Sequence, residues 1–138
     1  MPDRLLDTNA VGAAMQAHAG FERYIWRVRN EGFLFTSVIV EGEVRFGLER
    51  LQDGRKKRAL ARALTKVLDR MNEILPITRE TVLRHSRIKS ELWTRGRPMG
   101  ENDLWIASTA LARSLILVTN DGLFGNVPGL RIEDWRPG

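Results

Sequence analysis

The sequence predicts an α/β domain built on a mainly parallel sheet, and three observations predict it. Short apolar runs alternate with longer stretches whose apolar residues recur every three to four positions, and parallel strands need helical crossovers of that kind. The 138 residues, 43% apolar and 28% charged, are enough for one hydrophobic core but tight for two. No internal repeat or low-complexity segment interrupts the alternation, so a single domain over 1–138 is expected.

The elements follow in order. Arg4-Leu-Leu-Asp7 is a short apolar run ending in Asp7-Thr-Asn9, a strand entering a helix cap, and an amphipathic stretch comes next. Residues 33–37, Phe-Leu-Phe-Thr-Ser, form a second strand. Over 38–51, Val40, Val44, Leu48 and Leu51 keep the helical repeat, and Asp53-Gly54 is expected to end that helix. A further helix over 58–71 places Leu60, Leu64, Val67, Leu68 and Met71 on one face. The strand at 74–77 contains Pro76, which favours a sheet edge. Residues 81–93 are helical, 96–100 a loop by their glycines and proline, 103–113 an almost wholly apolar helix and 115–118 a buried type of strand. A last strand lies near 130–133.

Composition excludes much chemistry. There is no cysteine, hence no disulfide scaffold, thiol nucleophile, iron-sulfur cluster or thiolate zinc site, as suits a reducing cytosol. His18 and His85 are the only histidines, too few for a three-histidine metal site within this chain. Apolar runs fall far short of the roughly 20 residues of a membrane span, and Met1-Pro-Asp-Arg4 opens no signal peptide, so a cytoplasmic protein is expected. The formal charge is +5, and 18 of the 22 basic residues are arginine, whose planar fork suits phosphate oxygens. Between Arg45 and Arg97, 15 Lys+Arg stand against 6 Asp+Glu, a net +9, which leaves −4 for the flanks. That segregation fits either a nucleic-acid footprint around a metal-binding pocket or helices with solvated basic faces.

In open α/β sheets ligands sit beyond the carboxyl ends of the strands, where strand order reverses. Asp7 ends the first strand, Asp121 follows the strand at 115–118, and Asp103 starts the apolar helix. Taken singly, each is also explained as a helix cap, a first-turn acid or a turn residue. Glu43 is harder to explain away. At 100° per residue it falls at about 140° on a wheel started at Val38, inside the arc of Ile39, Val40, Val44, Gly47 and Leu51. A carboxylate there needs a partner, either Arg50 on the following turns or a metal. Four carboxylates without lysine or histidine nearby would repel one another unless a cation were present. Oxygen-only donors select hard ions, Mg²⁺ or Mn²⁺, which suit phosphodiester hydrolysis.

Four stretches carry a family resemblance: Leu5-Leu-Asp-Thr-Asn9; Ser37-Val-Ile-Val-Glu-Gly-Glu-Val-Arg-Phe-Gly47; Gly96-Arg-Pro-Met-Gly-Glu-Asn-Asp-Leu-Trp-Ile-Ala107; and Leu117-Val-Thr-Asn-Asp121 with Val127-Pro-Gly-Leu-Arg-Ile-Glu-Asp-Trp135. In this order and spacing the chain resembles the PIN-domain ribonucleases of VapC type, toxins of bacterial toxin-antitoxin pairs. The resemblance implies a PIN-like fold, a five-stranded parallel sheet flanked by helices. It implies a Mg²⁺- or Mn²⁺-dependent endonuclease that cuts RNA; with water as nucleophile, a two-metal mechanism would leave 5′-phosphate and 3′-hydroxyl ends. The family's four acids fall on Asp7, Glu43, Asp103 and Asp121. Asp7 and Asp103 would coordinate metal directly, with Glu43 and Asp121 in support and Thr8 and Thr119 helping through their hydroxyls. Partners so implied are RNA, a cognate antitoxin and a second copy of the chain. Two departures stand out. Glu101 occupies a position where many relatives have proline and is expected to be a solvated loop residue rather than a fifth ligand. The run Gly122-Leu-Phe124 is about one residue short, so the aim of Asp121 depends on that turn.

Arg58, Arg62, Lys66 and Arg70 form a basic stripe, and Arg55-Lys-Lys-Arg58 sits at a helix start where the dipole disfavours cations. Arg55, Lys56, Lys57, Arg58 and Arg62 are therefore candidate RNA contacts, weighed against a solvated face. His18 and His85 are expected to be packing or surface residues. Trp93, Trp105 and Trp135 are assigned to core or interface, and Trp26 to a possible dimer or antitoxin contact. Haloacid dehalogenase-type phosphatases and response-regulator receivers also gather acids at strand ends. Both want a strand-end lysine, whereas Lys56, Lys57, Lys66 and Lys89 all lie on helical stretches. The alternative from another class is a noncatalytic PIN-like module that binds RNA or protein.

Overall fold

The computed structural model describes residues 2–136. Five strands, β1 (Arg4–Leu6), β2 (Leu34–Ser37), β3 (Glu73–Leu75), β4 (Ile116–Val118) and β5 (Ile132–Glu133), alternate with six helices. The helices are α1 (Thr8–Met15), α2 (Ala19–Val28), α3 (Val38–Glu49), α4 (Arg55–Asp69), α5 (Arg79–Thr94) and α6 (Glu101–Ala112). Every strand pair is parallel, in the order β3-β2-β1-β4-β5, the α/β architecture expected from the alternation. β1 is central, with Leu5 opposite Phe35 on one side and Leu117 on the other. β3 is an edge strand, the position expected for it, but it spans Glu73–Leu75 rather than 74–77 and leaves Pro76 just outside the ladder.

A sheet covered on both faces needs apolar residues pointing both ways. Leu5, Leu6, Leu117 and Val118 are all fully buried, and Val11, Val40, Leu64, Leu104 and Ile106 close over them from the helices. Strand order reverses between β1 and β4, which puts the ligand crevice beyond Leu6 and Val118. No helix among the described residues is long and apolar enough to cross a membrane.

The structure differs from the sequence reading at several boundaries. The first amphipathic stretch is two helices, because Ala17 takes a left-handed conformation at φ 50°. His18 then opens α2, its Nδ1 accepting the Gly20 and Phe21 N–H groups at 3.1 and 3.3 Å. It is thus a cap as well as a surface residue. Helix α3 stops at Glu49, before Asp53-Gly54, and Gly54 serves instead as the N-cap of α4. Helix α4 begins three residues before the expected start at 58, so Arg55, Lys56 and Lys57 form its first turn. Trp93, expected in core or interface, is 75% exposed and so is not a core residue, whereas Trp135 is buried edge-on against Phe21.

Candidate active site

Each acid of the crevice is placed by a local structural device. Asp7 is the first residue past β1 and the N-cap of α1: its Oδ1 accepts the Ala10 N–H at 2.8 Å. Its Oδ2 accepts the Thr119 hydroxyl at 2.5 Å, from just past β4. Glu43 lies one turn into α3, whose start is fixed by Ser37 capping the Val40 N–H at 3.2 Å. Asp103 is in the first turn of α6. The short 3-10 helix Gly122–Asn126 is capped by Asp121, whose Oδ1 accepts the Leu123 N–H at 2.9 Å.

Hydroxyls and amides link these residues across elements. Thr8 donates to Glu43 Oε1 at 2.9 Å, the partner that the sequence alone did not supply. Arg50 is exposed and makes no ion pair with Glu43 among the described residues, which removes that alternative. The Asp121 backbone N–H donates to Thr119 Oγ1 at 3.0 Å, so one hydroxyl ties the loop after β4 to Asp7. Asn9 Nδ2 donates to Asn120 Oδ1 at 2.9 Å, and Arg136 Nη2 to the Asn120 carbonyl at 3.3 Å.

The electrostatics show that the four acids share one field. The Asp7 side chain, with Asp7 only 3% exposed, has its pKa pushed up to about 6. Burial is the main cause; the bonds from Thr119 and Ala10 oppose it, and the charges of Asp103 and Asp121 add to it. Asp103 is also raised, by burial first and then by Glu43 and Asp121. The shortened turn therefore still brings Asp121 to the rim. No basic side chain figures among the causes at either Asp7 or Asp103. Among the described residues no three carboxylate or imidazole groups close into a ready-made metal cage.

Glu101 is neither loop nor crevice. It is the first residue of α6, and both its oxygens are taken by α5, from His85 Nε2 at 2.6 Å and Lys89 Nζ at 3.1 Å. The bond from Lys89 foremost, opposed by desolvation and aided by the bond from His85, holds its carboxyl below the usual range. Sequence reasoning missed this cluster, and the Asn9–Asn120 bridge with it. The signal for the cluster was a pair of i, i+4 spacings, His85/Lys89 and Glu101/Trp105, on helices consecutive in the chain.

None of the candidate RNA contacts bonds to or pairs with the four acids among the described residues. Arg55, Lys56, Arg58 and Arg62 are exposed, whereas Lys57 is half-buried and paired with Asp53 at 3.2 Å and Glu49 at 4.0 Å. Arg62, Lys66 and Arg70 line a groove with Ala14 and Met15, at the end of α1 remote from Asp7.

A doubly wound parallel sheet with a buried aspartate at its reversal point and three more acids in the same field defines a carboxylate-lined α/β protein suited to hard divalent cations. The chain belongs to the PIN-domain family, on its VapC-type branch: the family model described as PIN domain matches residues 4–130. It is 33% identical to the tRNA(fMet)-specific endonuclease VapC of Shigella flexneri over 107 residues, 77% of this chain and 78% of the relative. Among solved structures, VapBC2 from Rickettsia felis bound to a DNA fragment from its promoter superposes with a TM-score of 0.87 at 28% identity, covering 96% of this chain and 98% of the other. VapBC-5 from Mycobacterium tuberculosis, a member of the VapBC family of toxin-antitoxin systems, superposes with a TM-score of 0.75 at 27% identity over 99% and 100% of the two chains.

Proposed function

We propose that the protein is a divalent-metal-dependent endoribonuclease acting as the toxin of a toxin-antitoxin pair. The observation that carries the reading is Asp7: buried at the strand-order reversal, raised to about 6, and facing the charges of Asp103 and Asp121. Residues present fit a hard cation. Their donors are all oxygen, and an ion such as Mg²⁺, held by one or two carboxylates while keeping its waters, needs no closed cage. Asp7 and Asp103 would hold Mg²⁺ or Mn²⁺, with Glu43 and Asp121 in support. When bound, the cation supplies a Lewis acid for the scissile phosphate and lowers the pKa of water.

The chain's own residues do the rest. Ala10 and Thr119 fix both Asp7 oxygens, so the carboxylate is oriented before any ligand arrives. Thr8 holds Glu43 toward α1 instead of solvent. The Asp121 N–H, by donating to Thr119, keeps that hydroxyl's proton aimed at Asp7. The partner set is RNA, a cognate antitoxin that silences the crevice, and a second copy of the chain, in the cytoplasm where such substrates are found. The name of the Shigella relative makes initiator transfer RNA the first substrate to try.

The test is cleavage of a cellular RNA pool by purified protein in Mg²⁺, Mn²⁺ and EDTA, beside Asp7→Asn and Asp103→Asn. Discrete fragments that require metal and fall by at least 100-fold in both variants are expected. Cleavage that survives EDTA and both substitutions refutes the reading, and RNA binding without cutting assigns the protein to the noncatalytic PIN-like modules.

A further inference from the structure

Helix α6 carries Glu101, Asp103 and Trp105 at its start. At 100° per residue, Glu101 and Trp105 are about 40° apart around the helix, and Asp103 is about 160° from each. A grip on the first two therefore holds the helix by the side opposite Asp103. The imidazole of His85, 8% exposed, provides that grip. It stacks on the Trp105 ring, 3.7 Å between centroids at 17°, and donates Nε2–H to Glu101 Oε1 at 2.6 Å. Lys89, one turn further along α5, takes the other Glu101 oxygen at 3.1 Å. One ring thus touches the residues two before and two after Asp103.

Resting on the metallonuclease reading above, we propose that His85 and Glu101 are positioning residues for Asp103: the α5 clamp sets the rotation of the first turn of α6 and so the aim of the Asp103 carboxylate. The lever is sensitive. With side chains an α-helix is about 10–12 Å across, so a rotation of about 10° displaces a carboxylate by roughly 1 Å. A misplacement of that size costs up to about 100-fold in rate. The clamp also accounts for an acid at position 101 that does not join the crevice, since both its oxygens are occupied on the α5 side.

The experiment compares His85→Ala, Glu101→Ala, Glu101→Gln and the double alanine variant with the wild type. Each is assayed for kcat and KM on RNA and, without RNA, for Mn²⁺ affinity by electron paramagnetic resonance. Both single alanine variants are expected to lose about 10-fold in kcat, with KM within about 2-fold and Mn²⁺ affinity falling in parallel. The double variant is no worse than either single, because one clamp is broken in all three. Glu101→Gln, which keeps the acceptor for His85, stays within about 3-fold of wild type. Glu101 is half exposed, so its variants report even where His85→Ala fails to fold.

Unchanged kcat and Mn²⁺ affinity in the alanine variants, whatever their melting temperature, overturn the clamp. Damage in Glu101→Gln equal to that in Glu101→Ala overturns it too, in favour of a direct ligand role for Glu101. Asp103→Asn is run in parallel: if it cuts RNA like the wild type, the metallonuclease reading falls and takes the clamp with it. An inactive Asp103→Asn beside fully active clamp variants removes the clamp alone.

Discussion

Asp7 caps α1, accepts the Thr119 hydroxyl and lies almost wholly buried, and these duties conflict once it ionises. Its carboxyl keeps a proton to about pH 6 in the fold but releases it near 3.9 in an unfolded chain. The folded state therefore binds the proton more tightly. Below about pH 4 that contribution to stability is fully present, and it is lost as pH rises through about 6. The shift is worth on the order of 2–3 kcal/mol. Asp7→Asn, in EDTA, is expected to match the wild type in urea unfolding at pH 4 and to exceed it by about 1–3 kcal/mol at pH 7.5. Added Mg²⁺ should stabilise the wild type and leave the variant unmoved. A stability gap that does not open with pH would mean that burial does not govern this carboxylate.

Three helices end in the same motif, and only one of them uses glycine. After α5, the Gly96 and Arg97 N–H groups bond the Trp93 and Leu92 carbonyls, with Gly96 at φ 69°. The same pair of bonds closes α1 around Ala17 and α6 around Ser114, which take φ 50° and 55°. A left-handed conformation costs a side chain about 1–2 kcal/mol, partly offset by the backbone entropy that glycine would lose. Ala17→Gly and Ser114→Gly are each expected to raise stability by roughly 0.5–1 kcal/mol, read as a higher denaturation midpoint at unchanged m. A lower midpoint would show that these side chains make contacts that outweigh the strain. Neither break is written in the sequence as punctuation, so the first two helices read as one amphipathic stretch.

Across the whole molecule, charge is divided between a basic middle and acidic flanks, and the fold turns that division into geography. The acids collect at the carboxyl ends of β1 and β4, while Arg62, Lys66 and Arg70 lie along the far end of α1. At the start of α4, Arg55 and Lys56 face solvent in a turn where the dipole opposes them and no side chain caps the helix. If this cluster draws RNA to the protein, Arg55→Ala/Lys56→Ala/Arg58→Ala weakens binding for all sequences alike. It also reduces the slope of log K against log salt by about 0.7 for each phosphate contact removed. An unchanged slope assigns the cluster to solvent. Lys57 is left out of that variant because Asp53 and Glu49 already engage it.

The alternation of periods determined the α/β class, the five strands and the edge position of β3, because binary pattern and proline placement are local properties. Strand-end position and one helical wheel also brought Asp7, Glu43, Asp103 and Asp121 to notice. Tertiary structure alone decided their partners. Thr8 in place of Arg50 beside Glu43, Thr119 beside Asp7, and the His85 and Lys89 grip on Glu101 join residues 35, 112, 16 and 12 positions apart. Helical spacing marks which face a side chain occupies, but it does not say which other element that face will meet. That is settled by how the helices dock across a sheet whose order reverses between β1 and β4, and so too are the partners, pKa shifts and aim of the acids.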